Sequence, residues 1–218
     1  MYYRPKIFFP KKTYSTFGED QIIKKFFNNK SKGFYVDIGC YHPLDGSNTY
    51  LLYKKGWRGI NIDVNSLSIE LFKNARREDE NINVAVSNVA KKIKIYFRKK
   101  INMLNTTSKK LAKIHFRNGY QEKLIKSDTL NSILKRSKFK NRNIDFLNID
   151  VEGNELNVLK AINFKKYSPT LICVEIHNHE DMYNQKTDYL KRNPIYKFLK
   201  SKKYRVFWKS EFSFIFKV

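Results

Sequence analysis

Short apolar runs that stop at polar or acidic residues, separated by longer amphipathic stretches, most constrain what this chain can form. Phe34–Ile38 stops at Gly39, Arg58–Ile62 at Asp63 and Ile144–Ile149 at Asp150, while Thr170–Ile176 runs into His177. Runs of this length read as buried strands, and strands alternating with helical patterns imply a parallel sheet covered on both faces. Ile82–Val86 supplies a further strand. Helices are expected over residues 18–29, Ser47–Lys55 (closed by Gly56), Ser66–Arg76 (Leu67, Leu71 and Ile69 inward), Glu155–Ala161 and Ile195–Lys200. Tyr204–Trp208 and Phe212–Val218 are separated by three residues, a hairpin spacing. The expected fold is therefore α/β: a doubly wound, mostly parallel sheet of seven strands with a C-terminal antiparallel hairpin.

Residues 88–142 form a long connection, and connections of that length carry structure of their own or a function. It holds an expected strand (Ile93–Phe97), a helix (Ser108–Arg117), a second strand (Glu122–Ser127) and a helix begun by Asp128 as its cap. We read it as an inserted substrate-binding or lid segment of one domain spanning 1–218. A chain of 218 residues with 41% hydrophobic and 15% aromatic residues can bury a core. Cys40 and Cys173 are too few for a disulfide framework and point to a reducing, cytoplasmic setting. The first residues, MYYRPKIFFPKK, have no signal-peptide pattern, and no run is long enough to span a membrane.

The formal net charge is +24. Such a charge favours polyanions: nucleic acid, phosphorylated substrates or peripheral contact with an anionic membrane. Lysine, asparagine and isoleucine are used throughout, as AT-rich coding would produce, so the charge does not decide function by itself.

Ligands of open parallel sheets bind beyond the carboxyl ends of the strands. Those ends carry Asp37 and Gly39, Asp63, then Ala85 and Ser87, then Asp150 and Glu152, then Glu175 and His177. An acid such as Asp63, about 24 residues after a glycine turn, is placed to hold ribose hydroxyls. The G-x-G-x-x-G fingerprint is missing, since Gly46 is the next glycine after Gly39. A ligand with a ribose and no pyrophosphate fits better, and S-adenosylmethionine is one.

The segments DIGCYHPLDGSNTYLLYKKGWRGINID, NVAVSN, SDTL, IDFLNIDVEGNELNVLK and PTLICVEIH together resemble the FkbM-type methyltransferases, over roughly residues 13–180. Upstream, YSTFGED resembles that family's SQxGED motif, with Thr16 in place of Gln. The resemblance implies a class I, Rossmann-like methyltransferase fold and S-adenosylmethionine-dependent O-methylation, commonly of a sugar hydroxyl on a glycan or glycoconjugate. It implies cofactor contacts from Glu19, Asp37, Gly39, Asp63, Val84, Ala85 and Ser87. Tyr41, Ser47 and Asn48 are further cofactor-contact candidates, although the loop Tyr41-His42-Pro43-Leu44-Asp45 departs from the shorter, glycine-richer loop of many methyltransferases.

Removing a hydroxyl proton requires a base near the methyl group. Asp150, which also borders the cofactor site, Glu152 and His177 are the candidates. His42, Lys109, His115, Tyr120 and Glu175 are candidate acceptor contacts. Asp150 and Glu175, with Glu152, also offer oxygen donors suited to Mg²⁺, although the spacing does not require a metal. Two other classes compete. An RNA-modifying methyltransferase is favoured by the charge and by Tyr41, Phe116 and Tyr120 as stacking surfaces. A catalytically silent cofactor- or glycan-binding protein is disfavoured by polar residues at all five strand ends.

Overall fold

The computed structural model describes residues 13–100, 102–176 and 189–218. Strands β1 (Phe34–Ile38), β2 (Arg58–Asp63), β3 (Glu80–Asn83), β7 (Phe146–Ile149), β8 (Leu171–Glu175), β9 (Arg205–Lys209) and β10 (Ser213–Lys217) form one sheet, ordered β3-β2-β1-β7-β8-β10-β9. β3, β2, β1, β7 and β8 run parallel; β10 is antiparallel to both β8 and β9. This is the expected seven-stranded arrangement, with the hairpin closing one edge. Strand order reverses between β1 and β7, where a crevice opens at the carboxyl ends.

Alternation along β1 divides the core in two. Phe34, Val36 and Ile38 face one side with Leu147, Ile149, Ile172 and Val174. Tyr35 faces the other with Phe146, Leu171, Cys173 and Trp57. That second face is covered by α1 (Glu19–Phe26), through Ile23, and by α2 (Tyr50–Lys54), through Leu52. The period of two puts Asp37 on this face beside its register partners Asn61 and Asn148. A polar row therefore crosses the middle of an otherwise apolar layer.

Several expected boundaries move. The helix expected at Ser47 begins at Tyr50, because Ser47 and Thr49 spend their hydroxyls on Arg76 and Asp37. In α3 (Ser66–Ala75), Ile69 and Phe72 are buried, whereas Leu67 and Leu71 are only partly so. The strand expected over 82–86 is two. β3 stays in the main sheet, and β4 (Ala85–Val86) leaves it to pair with β6 (Gln121–Asp128) of the insertion.

β6 also pairs with β5 (Lys92–Phe97), making a small sheet ordered β4-β6-β5. The inserted helix α4 (Lys109–His115) is capped by Ser108, whose Oγ accepts from the Leu111 amide. Asp128 does not cap α5 (Leu130–Arg136). Thr129 does, accepting from the Ser132 amide, while Asp128 pairs with Arg136. α6 (Glu155–Lys160), α7 (Tyr189–Arg192) and α8 (Pro194–Ser201) complete the described elements. Among the described residues no helix is long and apolar enough to cross a membrane.

Candidate active site

A cleft of about 860 Å³, open to solvent, lies beyond the carboxyl ends of β1, β2 and β7. Gly39, Tyr41, Asp63, Val84, Ala85 and Asp150 line it, with Asp37 at its floor. Gly39 sits at φ 77°, and a Cβ there would come within 1.6 Å of the Asp150 carbonyl oxygen. Only glycine lets the exit of β1 lie against the exit of β7.

Asp63 is fixed by backbone donors: Tyr41 N gives a hydrogen bond to Oδ2 (2.9 Å) and Asn65 N to Oδ1 (2.7 Å). Each carboxylate oxygen retains a lone pair for a ligand hydroxyl. Burial pushes its pKa up to about 6, against the pull of those amides. The acid is thus oriented before any ligand arrives.

At the floor of the cleft, Asp37 is held by two side-chain donors. Thr49 Oγ1 donates to its Oδ2 (2.6 Å) and Asn148 Nδ2 to its Oδ1 (2.9 Å). Arg76, completely buried, donates to Thr49 Oγ1 (2.7 Å), Ser47 Oγ (2.8 Å) and the Pro43 carbonyl (2.6 Å). Asn48 Nδ2 donates to Asn148 Oδ1 (2.9 Å). Ser47 and Asn48 therefore brace the loop from behind and do not line the cleft, contrary to expectation. Burial raises the Asp37 pKa, opposed by Thr49 and then by the Arg76 charge.

At the ends of β7 and β8 the arrangement changes. Asp150, Glu152 and Glu175 bring carboxylate oxygens within 4.8 Å of one another. Glu152 is 6% exposed and sits at φ 53° beside Gly153 at φ 99°. The turn is held by Glu155 Oε1, which accepts from Val151 N (3.2 Å) and Gly153 N (2.9 Å). Burial, then the Asp150 charge, raises the Glu152 pKa; burial, then the Glu152 charge, raises that of Glu175. Asp150 therefore stands within reach of two carboxyl groups whose ionisation its own charge and theirs oppose. Nε2 of His115, on α4, lies 3.7 Å from Glu152 Oε2.

The structure thus brings Asp37, Gly39, Tyr41, Asp63, Val84, Ala85 and Asp150 to one cleft, and Glu152, Glu175 and His115 to a cluster at its edge. Other candidates go elsewhere. Glu19 is buried away from the cleft lining, accepting from Phe17 N (2.8 Å) and, at 3.4 Å, from Ser210 Oγ. Ser87 donates its amide to the Asp128 carbonyl. His42 Nδ1 accepts from the amides of Leu44 and Asp45, folding its own turn. Tyr120 packs edge-on against Tyr96 at 5.3 Å, and Lys109 is exposed on α4. None of these lines the cleft. His177 lies outside the described residues.

Sequence reading missed Arg76 and Asn148, and, in the insertion, Asn102, Met103, Asn105, Thr106 and Thr107. Asn148, a polar residue inside the apolar IDFLNI run, carried a signal; Arg76, at the end of an amphipathic helix, carried none.

No curated protein matches the chain at a significant level. Residues 37–206, well over half the chain, match the methyltransferase FkbM domain. The match starts at β1, so YSTFGED lies outside it, and it reaches past residue 180 into β9. With the strand-end carboxylates gathered at one cleft, the chain belongs to the FkbM methyltransferase domain family and is a methyltransferase.

Proposed function

We propose that the protein is a class I, Rossmann-like enzyme that methylates a sugar hydroxyl of a glycan or glycoconjugate, using S-adenosylmethionine. One observation carries the reading: Asp150 lines the cleft that holds Asp63 and also belongs to the carboxylate cluster at its edge. A cofactor held by Asp63 would thus end where a proton acceptor stands. The preset Asp63 carboxylate fits ribose hydroxyls, and the lack of a pyrophosphate loop fits a nucleoside without phosphates. When bound, S-adenosylmethionine supplies a methyl group on a sulfonium.

Asp63 holds the ribose, and Gly39 allows close backbone approach. Asp150 accepts the hydroxyl proton as the oxygen–carbon bond forms and the carbon–sulfur bond breaks, its electron pair staying on sulfur. Glu175, whose carboxyl oxygen lies within 4.8 Å of Asp150, is placed so that its charge state influences how readily Asp150 takes that proton.

The same cluster supports a second reading. Three close oxygen donors suit a hard cation, and Mg²⁺ held by Asp150 and Glu175 would lower the pKa of an acceptor hydroxyl. Chelation followed by Mg²⁺ titration tests it.

The deciding experiment incubates the protein with methyl-labelled cofactor and a panel of glycans, nucleotide sugars and RNA, followed by mass analysis. Label on a sugar oxygen is expected. Label on RNA, or on nitrogen or carbon, would overturn the proposed acceptor.

A further inference from the structure

The insertion reaches the cofactor cleft as well as the carboxylate cluster. Asn102, Met103, Asn105, Thr106 and Thr107, between β5 and α4, line the cleft. This segment is pinned at several points. Tyr96 and Thr106 exchange backbone hydrogen bonds of 2.8 and 3.2 Å. Thr106 Oγ1 donates to the Glu152 carbonyl (2.6 Å), and Asn65 Nδ2 donates to the Lys100 carbonyl (2.6 Å). One tie is to the catalytic turn and another to the residue two beyond Asp63.

Within this braced segment, Oδ1 of Asn105 is buried and accepts no hydrogen bond among the described residues. Leaving a buried acceptor unsatisfied is costly, and native structures rarely do so without a reason. Asn105 also borders a neighbouring groove formed with Asn65, Ser66 and Leu67. It is thus shared between the cleft and the groove beside the residues that follow Asp63. An acceptor held there needs a donor, and a nucleoside offers two kinds: ribose hydroxyls and the exocyclic amine.

We propose that Asn105 is a cofactor-binding residue, its carboxamide oxygen accepting a hydrogen bond from the adenosine moiety. The inference rests on the cofactor reading above and extends it, since it assigns part of the adenosine site to the insertion. Because Thr106 ties this segment to the Glu152 carbonyl, a nucleoside held by Asn105 also steadies the turn that carries the carboxylates.

Calorimetry with S-adenosylhomocysteine tests the assignment. Asn105→Ala should weaken binding roughly 5- to 15-fold, as loss of one hydrogen bond does. The unliganded variant should melt no lower than the parent, because an unsatisfied acceptor has been removed, while its ligand-induced melting shift shrinks. Asn105→Asp keeps an acceptor and should bind within about threefold of the parent. Analogues locate the donor. If S-inosylhomocysteine, which carries a carbonyl in place of the amine, binds parent and Asn105→Ala alike, the amine is the partner. If the 2′- or 3′-deoxy analogue does so instead, a hydroxyl is. Parent-like affinity in Asn105→Ala overturns the assignment and leaves the cofactor reading standing. No binding by the parent overturns the cofactor reading and this inference with it.

Discussion

Carboxylates at the two ends of the cleft are accommodated in opposite ways. Asp63 and Asp37 are each given dedicated donors, two backbone amides for one and a hydroxyl and a carboxamide for the other. Asp150, Glu152 and Glu175 are packed against one another. Under the proposed function, the first pattern would keep Asp63 oriented toward a cofactor that is the same in every turnover, and the second would let the ionisation of the cluster respond to what else enters. A preset end for the constant ligand and a titrating end for the reacting one is a division of labour that a methyltransferase can use.

Breaking the reactive end should have the largest effect. Asp150→Asn is expected to lower methyl transfer roughly 10²- to 10⁴-fold, the span of acid–base contributions. Its affinity for S-adenosylhomocysteine should stay near that of the parent. Labelled-methyl assays with calorimetry check both halves, and retained turnover would remove Asp150 as the base.

At the preset end the heaviest blow falls on Arg76. Arg76→Met leaves Ser47, Thr49 and the Pro43 carbonyl without their shared donor. Urea unfolding should show a loss of about 3–5 kcal/mol, as when one partner of a buried charged network is removed. A loss under about 1 kcal/mol would mean the loop is held by other contacts.

Proton uptake separates the two ends further. Asp63, with a pKa of about 6, is ionised at pH 7.5 and mostly protonated at pH 5. Cofactor affinity measured by calorimetry should fall about tenfold over that interval. A flat profile would show that the charge on Asp63 is not used.

The mildest effect is expected from Glu152→Gln. Burial and Asp150 raise the Glu152 pKa above its ordinary 4.5. Its stabilising contribution is therefore complete below pH 4.5 and drains away as pH climbs toward the folded-state value. Glutamine does not titrate, so the variant should melt a few degrees higher at pH 8 and no higher at pH 4.5.

The sheet was legible because parallel strands must be apolar on both faces, which makes FYVDI, RGINID, FLNI and LICVE stand out. The residues at their ends followed from topology alone, which is why Asp63 and Asp150 could be brought to one crevice, as the cleft lining has them. Ser47, Asn48 and Glu19 lie off that lining, because pattern shows that a polar residue is near a strand end, and not which way it turns. The split of 82–86 into β3 and β4 was hidden for a related reason. A two-residue strand leaves no period, and its partner, β6, lies some 40 residues on. Arg76 acts through distant partners, so nothing adjacent in the chain marks it.

Leu111 of α4 fills the space where a side chain at Gly153 would stand, since a Cβ there would come within 2.3 Å of Leu111 Cδ1. The inserted helix and the turn after β7 are thus cut to each other's shape. An engineer who transplants residues 88–142 from another family member, hoping to exchange acceptor preference, inherits this fitted joint. Such a graft will seat only if the donor segment brings a comparably sized plug to meet Gly153.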